Sequence, residues 1–250
     1  MNVTEIKVNN VRKKSYVYNL KNELIREHDF TTDEPVSYTI DDYGNITKKV
    51  KLIRKDEWTV TAETINYTYG TGINKNTLLS YNGTQIIYGD TYKGNPTKIG
   101  THDLKWEGRR LVKYDNLNFT YNENGQRVRK GNYSYIYDGD LLIKQTDGTN
   151  SLYFLYDSYD CLSGFKYGNE TFFYVRDILN NIKGIVDING NYVVKYNYDA
   201  YGNTLSIEGS AASTIGIINP FRYKGYYYDI ETSLYYCNSR YYNPEWGRWI

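Results

Sequence analysis

A six-residue frame that recurs along the chain limits what the chain can fold into. In each copy the second position is Asp or Asn, and the fifth is Gly or Asn. Asp and Asn side chains can bond a turning backbone, and Gly and Asn most readily adopt a left-handed conformation. Each copy therefore predicts the end of one strand, a tight turn and the start of the next strand. The copies begin at Tyr18, Ile40, Tyr121, Arg176 and Tyr198, and their predicted left-handed turn residues are Asn22, Gly44, Gly125, Asn180 and Gly202.

The spacing of these copies is typical of a repeat protein. The first two begin 22 residues apart (18 to 40), and so do the last two (176 to 198). A fixed period of roughly 20 residues indicates a repeat architecture. The runs between turns alternate with period two, as in 133–137, and no convincing helical period is present. We therefore predict antiparallel β-hairpins throughout.

Tyrosine is the residue that has to pack this fold. The chain has 250 residues, of which 31 are Tyr, while only 40% are hydrophobic when Tyr is included. Tyr rings pack like other aromatic rings, and each places a hydroxyl at the end of the side chain that faces solvent. We therefore expect a thin or curved sheet with solvent near one or both faces.

Charge and cysteine content exclude several classes of protein. The net charge is +1, and Lys and Arg are scattered, so no electrostatic surface for nucleic acid is predicted. No apolar run is long enough to span a membrane, and the amino terminus lacks a signal-peptide pattern. Cys161 and Cys237 lie in no metal-binding pattern, and we expect two buried free thiols, with a disulfide as the alternative.

The last stretch, 220–250, alternates tyrosine clusters with turn residues. Asp229 to Ser233 and Asn243 to Gly247 contain the Asp, Asn, Pro and Gly of tight turns. Three short aromatic strands joined by two turns follow from this pattern, which makes a β-meander.

This stretch closely resembles the RHS repeat-associated core of Rhs/YD-repeat proteins, and the six-residue frame resembles the YD repeat. Departures are Ser233 for Gly, Cys237 for Leu, Asn243 for Asp and Trp249 for Phe, and Ser233 is unfavourable if its turn needs a positive φ. The core motif is carried by Pro220, Phe221, Arg222, Gly225, Tyr226, Asp229, Leu234, Tyr235, Tyr236, Arg240, Tyr241, Tyr242, Pro244, Gly247 and Arg248.

The resemblance implies an all-β fold in which YD-repeat hairpins form a curved, spiralling sheet, part of an Rhs-type shell. We expect YD/RHS repeats over 1–208, a flexible linker or loop over 209–219, and the core segment over 220–250. In this family the shell encloses a polymorphic toxin used in interbacterial competition, so the implied partner is a C-terminal toxin domain, its own or a neighbouring one, that this chain does not contain. The implied location is secreted or cell-surface, as part of a longer protein.

Few residues suggest a catalytic, metal-binding or cofactor-binding role. His28 and His102 are far apart and lack metal-ligand spacing, so we interpret them as loop or strand-end residues and predict no metal or cofactor. Many Rhs proteins self-cleave at an aspartate motif beyond the core, and this chain is expected to lack that motif because it stops at Ile250. Arg248 then either helps position that site or stacks on Trp246 or Trp249. No catalytic residue is assigned, and we expect no enzyme.

Three readings of function remain. The first is a structural shell segment that encloses and helps deliver a toxin. The second is a binding module for cell-wall glycans or proteins, because exposed Tyr rings can stack on sugars. The third is an autoprotease that cuts just beyond the core.

Overall fold

The computed structural model describes residues 2–89 and 94–250 and is nearly all β, with 57% strand and 4% helix. This confirms the predicted fold class. Two compact units are present, and their described residues are 2–89 with 98–101 in the first unit and 94–97 with 102–250 in the second. No helix in the described ranges is long and apolar enough to cross a membrane.

The first unit contains short and long strands joined by turns. They are β1 (Glu5–Val8), β2 (Val11–Tyr18), β3 (Leu24–Asp29), β4 (Glu34–Ile40), β5 (Ile46–Arg54), β6 (Val60–Tyr69), β7 (Leu78–Tyr81) and β8 (Thr84–Tyr88). A 3-10 turn, Gly72–Asn74, lies between β6 and β7. The strand β9 (Pro96–Ile99) contributes residues to both units.

The second unit continues the same pattern. Its strands are β10 (His102–Glu107), β11 (Arg110–Tyr114), β12 (Leu117–Tyr121), β13 (Arg127–Lys130), β14 (Tyr133–Asp138), β15 (Leu141–Thr146), β16 (Ser151–Tyr156), β17 (Leu162–Tyr167), β18 (Glu170–Arg176), β19 (Ile182–Val186), β20 (Tyr192–Tyr198) and β21 (Thr204–Glu208). Strands β1–β21 form one long antiparallel sheet in which neighbours in sequence pair with each other.

A helical turn and a small separate sheet follow. The helical turn is α1 (Ile215–Ile218), and a 3-10 turn spans Tyr223–Gly225. The separate sheet contains β22 (Tyr227–Asp229), β23 (Leu234–Cys237), β24 (Arg240–Asn243) and β25 (Arg248–Trp249), each paired with the next. The sequence predicted three strands and two turns here. The structure adds a turn at Asn238, whose φ is 58°, and a short fourth strand.

The repeat frame forms one kind of turn. In the copy at Arg176, the Asn180 N–H donates to the Asp177 carbonyl at 3.0 Å, and the Asp177 N–H donates to the Asn181 carbonyl at 3.0 Å. The Asp177 carboxylate accepts the N–H groups of Leu179 and Asn181 at 2.9 and 3.0 Å. This is a three-residue hairpin loop that ends in a left-handed residue and a bulge.

All five predicted turn residues have the left-handed conformation. The φ angles are 62° at Asn22, 84° at Gly44, 81° at Gly125, 66° at Asn180 and 92° at Gly202. The same turn also occurs at Asp157 and at Asp187, outside the five predicted copies. Each of the five predicted turns connects an even-numbered strand to the next odd-numbered strand. Within each unit, these turns therefore all lie at the same end of the paired strands.

In most copies the side chain at the first position of the frame donates a hydrogen bond to a carbonyl of the strand before it. Tyr156 Oη donates to the Leu142 carbonyl at 3.0 Å, and Tyr198 Oη donates to the Ile182 carbonyl at 2.9 Å. Tyr121 and Tyr137 make the corresponding bonds to Leu111 and Arg127. In the copy that begins with Arg176, the guanidinium donates to the Leu162 carbonyl in the same way. In these copies the first position carries a long side chain with a terminal donor, whereas the copy at Ile40 has an aliphatic residue there.

The segment 209–219, expected as a flexible linker or loop, is ordered and packed. It contains α1, and Gly216 lies so close to β20 and β21 that a Cβ there would approach Ile207 Cγ2 to 2.7 Å and Val194 Cγ1 to 3.2 Å. Asn219 is completely buried.

Removing the hydroxyl of a frame tyrosine should weaken the sheet. We expect Tyr156→Phe to lower the free energy of unfolding by about 1 kcal/mol, because the Leu142 carbonyl loses its donor. Urea denaturation followed by circular dichroism measures this. Tyr159→Phe is the matched control, since Tyr159 is 86% exposed, and it should change nothing. Equal effects of the two substitutions would contradict the role given to the first position.

Candidate functional site: the buried cluster beneath the C-terminal meander

The meander formed by β22–β25 packs on the sheet of the second unit mainly through residues of the core motif. Among them, Phe221, Gly225, Tyr226, Gly247 and Arg248 are half-buried and Arg240 is exposed. The buried motif residues are Pro220, Arg222, Asp229, Leu234, Tyr235, Tyr236, Tyr241, Tyr242 and Pro244. The motif that the sequence singled out is thus largely an inward-facing surface.

A bidentate ion pair lies at the centre of this surface. Asp229, at the end of β22, is 0% exposed, and Arg127, at the start of β13, is 1% exposed. Their side chains approach to 2.5 Å (Nη1–Oδ2) and 2.9 Å (Nη2–Oδ1). Two parallel charge-assisted bonds fix both distance and orientation. The pair joins residues 102 positions apart in the chain.

Lys130 completes the charge balance of the cluster. Its Nζ lies 3.0 Å from Asp229 Oδ1 and 2.7 Å from Glu231 Oε2. The cluster therefore contains two cations, Arg127 and Lys130, and two anions, Asp229 and Glu231. Buried charges are tolerated when they are paired and hydrogen-bonded. Every charge here is paired, although Arg127 Nε has no hydrogen-bond partner among the described residues.

Tyrosine rings enclose the guanidinium of Arg127. Its Cζ lies 4.2 Å from the ring centroid of Tyr236, 5.1 Å from that of Tyr227 and 5.2 Å from that of Tyr135. The Tyr241 hydroxyl accepts from Nη1 at 3.3 Å and shares a bond of 2.9 Å with the Tyr121 hydroxyl. These rings come from both the sheet and the meander, so the cation joins the two by cation–π contact as well as by charge.

Burial and charge act in opposite directions on the ionisable groups. Burial alone raises the pKa of Asp229, but the charges of Arg127 and Lys130 outweigh it, and the pKa lies below its ordinary value. Burial alone lowers the pKa of Lys130, and the charge of Asp229 reverses this to a raised pKa. Each partner therefore stabilises the charged form of the other.

Two repeat turns also contact the meander. The Tyr242 and Tyr235 hydroxyls donate to the Tyr201 and Gly202 carbonyls at 2.8 and 3.0 Å. The Lys224 N–H donates to Asn181 Oδ1 at 2.9 Å. Gly202 leaves room for the Tyr223 ring, because a Cβ there would lie 2.4 Å from that ring. The repeat turns thus act as docking points in addition to reversing the chain.

A second buried cation lies where the chain enters the meander. Arg222 Cζ is 4.6 Å from the Tyr228 ring centroid, and its Nη2 donates to the Ile217 carbonyl at 3.3 Å. Asn219 beside it donates to the Phe221 carbonyl at 2.7 Å and accepts from the Tyr174 hydroxyl at 2.7 Å. Both side chains hold the chain in the path that leads from α1 to β22.

This arrangement supplies fixed bonds and not an acid, base or nucleophile. Burial raises the pKa of Tyr121 to about 12 and that of Tyr241 well above its ordinary value, so both phenols stay neutral and act as hydrogen-bond partners. Within the described residues, no group of three or more His, Cys, Asp or Glu side chains lies close enough to hold a metal ion. The cluster therefore serves to attach the meander to the sheet.

Several candidate residues occupy places other than those predicted. Cys161 is exposed, not buried, and Cys237 is half-buried, with a pKa raised by burial to about 12; both thiols are free. His28 lies within β3, where its ring is 3.0 Å from Asp33, whereas His102 begins β10, a strand-end position as predicted, 2.7 Å from Asp115. The guanidinium that stacks on Trp249 belongs to Arg240, with Cζ 4.1 Å from the centroid.

Sequence reasoning named Asp229 but missed its partners Arg127 and Lys130. Both were part of an ordinary-looking polar strand, Arg127-Val128-Arg129-Lys130, whose charges fit a solvated face. The one available signal was the position of Arg127 directly after a repeat turn. In the structure, the Tyr137 hydroxyl donates to the Arg127 carbonyl. That signal does not name a partner 102 residues away.

Comparison with known proteins gives relatives in sequence and in fold. The chain is 32% identical over 253 residues to the tRNA3(Ser)-specific nuclease WapA of Bacillus spizizenii, an alignment that covers 92% of this chain and 10% of that protein. No family model matches the chain. The chain therefore spans about a tenth of the length of this curated relative.

Two solved structures share the fold. The Photorhabdus luminescens Tc holotoxin pore, with a mutant TccC3, matches with a TM-score of 0.64 and 17% identity over 98% of this chain and 14% of that chain. TcdB2-TccC3 without its hypervariable C-terminal region matches with a TM-score of 0.55 and 16% identity over 94% and 15%. WapA and TccC are RHS/YD-repeat proteins. The sheet is an Rhs-shell type of fold.

Removing the charge of Asp229 should strongly destabilise the second unit. We expect Asp229→Asn to lower its free energy of unfolding by about 3–5 kcal/mol, because Arg127 and Lys130 stay buried with one fewer anion. Urea denaturation followed by tryptophan fluorescence measures this through the buried Trp106 and Trp246. The exposed Asp138→Asn is the control and should stay within about 0.5 kcal/mol of wild type. A loss below about 1 kcal/mol for Asp229→Asn would contradict the anchoring role.

The contribution of Asp229 should also depend on pH. Because its pKa is lowered in the folded state, the unfolded chain binds the proton first on acidification. Its stabilisation is complete above the unfolded value of about pH 4 and is lost as the pH falls through the lower folded-state value. The stability difference between wild type and Asp229→Asn should therefore shrink from pH 7 to pH 3. A difference that does not depend on pH would rule out this linkage.

Proposed function

We propose that this chain is a structural β-shell segment of an Rhs-type polymorphic toxin that encloses and helps deliver a C-terminal toxin. The observation that carries the proposal is the cluster of Arg127, Lys130 and Asp229, which locks the meander onto the sheet through buried bonds. A segment whose motif residues face inward has a packing role. The similarity to WapA and the fold shared with TccC support the same role.

The proposed partner is a toxin domain that is distinct from the shell. One structure of TccC3 is described as lacking a hypervariable C-terminal region, so a variable region exists in that protein. We infer that in the full protein a corresponding region follows the meander, and that the protein acts outside the cell or at its surface. We assign no catalytic role to residues 1–250, and the nuclease activity named for WapA belongs to a much longer protein.

The shell role explains the tyrosines better than a glycan-binding role does. A row of rings that stacks on sugars has to be exposed, whereas Tyr227, Tyr235, Tyr236, Tyr241 and Tyr242 of the meander are buried. Their hydroxyls bond sheet backbone and other phenols. These tyrosines are therefore committed to internal contacts.

Protease protection tests the proposal. An antibody against residues 220–250 captures the native product, and limited proteolysis is then followed with a second antibody against its C-terminal region. We expect a mass above 29.3 kDa and a C-terminal region that is protected in buffer but cut in urea. Asp229→Asn in the full protein should remove this protection, and Asp138→Asn should keep it. A product of 29.3 kDa, or a C-terminal region cut equally fast in both conditions, would overturn the proposal.

A further inference from the structure

A cavity of about 200 Å³ lies beside the buried cluster, between the sheet and the chain that leads into the meander. Buried residues line its inner part, and exposed residues form its rim. Its apolar lining comes from the side chains of Leu152, Ile217, Ile218, Pro220 and Ile230. An apolar cavity of about 150 Å³ is large enough for a benzene ring, so this cavity has room for one ring and a short substituent.

Arg222 lines this cavity as a buried cation without an acidic partner. The residue is 4% exposed. Across the described part of the chain, no carboxylate oxygen lies within 4 Å of its guanidinium nitrogens. A buried charge normally has a partner of opposite sign. Arg127 and Lys130 follow this rule through Asp229, and Arg222 departs from it.

The guanidinium of Arg222 is held in place and keeps a donor free. The ring centroids of Tyr196 and Tyr228 lie 5.7 and 4.6 Å from its Cζ, and Nη2 donates to the Ile217 carbonyl at 3.3 Å. Within the described residues, Nε is enclosed without a hydrogen-bond partner, whereas Nη1 makes no hydrogen bond and is not enclosed. Nη1 is therefore the donor that a ligand in the cavity can reach.

A second donor comes from the sheet side of the cavity. Gln145 is 8% exposed, and its Oε1 accepts from the Tyr227 hydroxyl at 2.6 Å. This bond fixes the orientation of the amide. Its Nε2, which has no hydrogen-bond partner among the residues that the structure describes, is left to donate to a ligand. A guanidinium donor and an amide donor in one apolar cavity suit a carboxylate, because its two oxygens accept from both.

The acidic residues at the cavity are already engaged with other groups. Glu231 at the rim lies 2.7 Å from Lys130 Nζ. The Asp147 carboxylate accepts the N–H groups of Thr149 and Asn150 at 2.8 and 2.6 Å and so closes its own turn. Neither carboxylate neutralises the unpaired guanidinium. The anion that this buried cation lacks has to come from a ligand.

We propose that this cavity binds an apolar carboxylate, a body the size of one ring that carries a single carboxyl group. The body packs against Leu152 and Pro220, and the carboxylate accepts from Arg222 Nη1 and Gln145 Nε2. The carboxyl end of a peptide with a terminal aromatic residue has this chemistry, and so has a free aromatic acid. Neither donor belongs to the buried ion-pair cluster, so the site does not depend on the proposed shell function.

Ligand titration by NMR on the whole ¹⁵N-labelled chain tests the site. Phenylacetate is the probe for a free acid, and N-acetylphenylalanine is the probe for a peptide end. We expect saturable shifts of the Gln145 side-chain amide and the Arg222 Nε–H signal with at least one of them, and the tighter probe identifies the source. The corresponding amides and acetate should bind at least about tenfold more weakly, because the amides lack the charge and acetate lacks the apolar body.

Two variants test the assigned donor. Arg222→Gln removes the charge and should weaken binding about tenfold or more, with circular dichroism as the check that the fold is retained. Because Arg222 also supports the chain before the meander, Ile217→Glu is the second variant. Ile217 is 41% exposed at the rim, and the added carboxylate should compete with the ligand for Arg222.

Ile188→Glu is the matched control, because Ile188 is 69% exposed in the β19–β20 turn, outside the cavity, and its affinity should equal that of wild type. No saturable binding of either acid, equal affinity for an acid and its amide, or equal affinity for acetate would overturn the proposal. Full affinity in Ile217→Glu, or in a folded Arg222→Gln, would overturn it as well.

Discussion

The Arg127–Asp229 pair is the interaction on which the second unit depends most. It is completely buried, bidentate and enclosed by aromatic rings from two parts of the chain. A charge so far from water is stable only if its partner stays in place, so a partial displacement that breaks the pair while both groups are still buried is unfavourable. This makes attachment of the meander close to all-or-none. The surrounding tyrosines and the last two repeat turns add further contacts between the meander and the sheet.

The unusual amount of tyrosine follows from two structural tasks. In the sheet, the ring of a frame tyrosine packs while its hydroxyl bonds a carbonyl of the preceding strand, as Tyr156 and Tyr198 show. Between the sheet and the meander, rings pack edge to face, as in Tyr135–Tyr227 at 5.7 Å, and the hydroxyls of this pair bond each other at 3.1 Å. Leu or Val fills such spaces but leaves the carbonyls without a donor. The low aliphatic content therefore reflects a core that is held by hydrogen bonds as well as by apolar contact.

Local features were predictable from the sequence because their causes are local. A left-handed residue at Asn180 or Gly202 and a capping Asp177 or Asp199 act within six positions, so the pattern alone indicates a turn. The partner of Asp229 was not predictable, because the sheet brings Arg127 to it over 102 residues. Segment 209–219 has a similar explanation: it was expected to be a flexible linker or loop, but α1 packs so closely on Val194 and Ile207 that position 216 has no room for a side chain.

The bulge at the repeat turns has a consequence for how such a chain changes in length. Every frame copy shifts the register of its own strand pair by one residue, as between Val175 and Arg176 and between Asn197 and Tyr198. Each turn therefore sets the register of its own strand pair independently of the register of the previous pair. An error in one hairpin stays within it. A gene that gains or loses one frame with its two strands adds or removes a complete unit, and the rest of the sheet keeps its inward and outward faces.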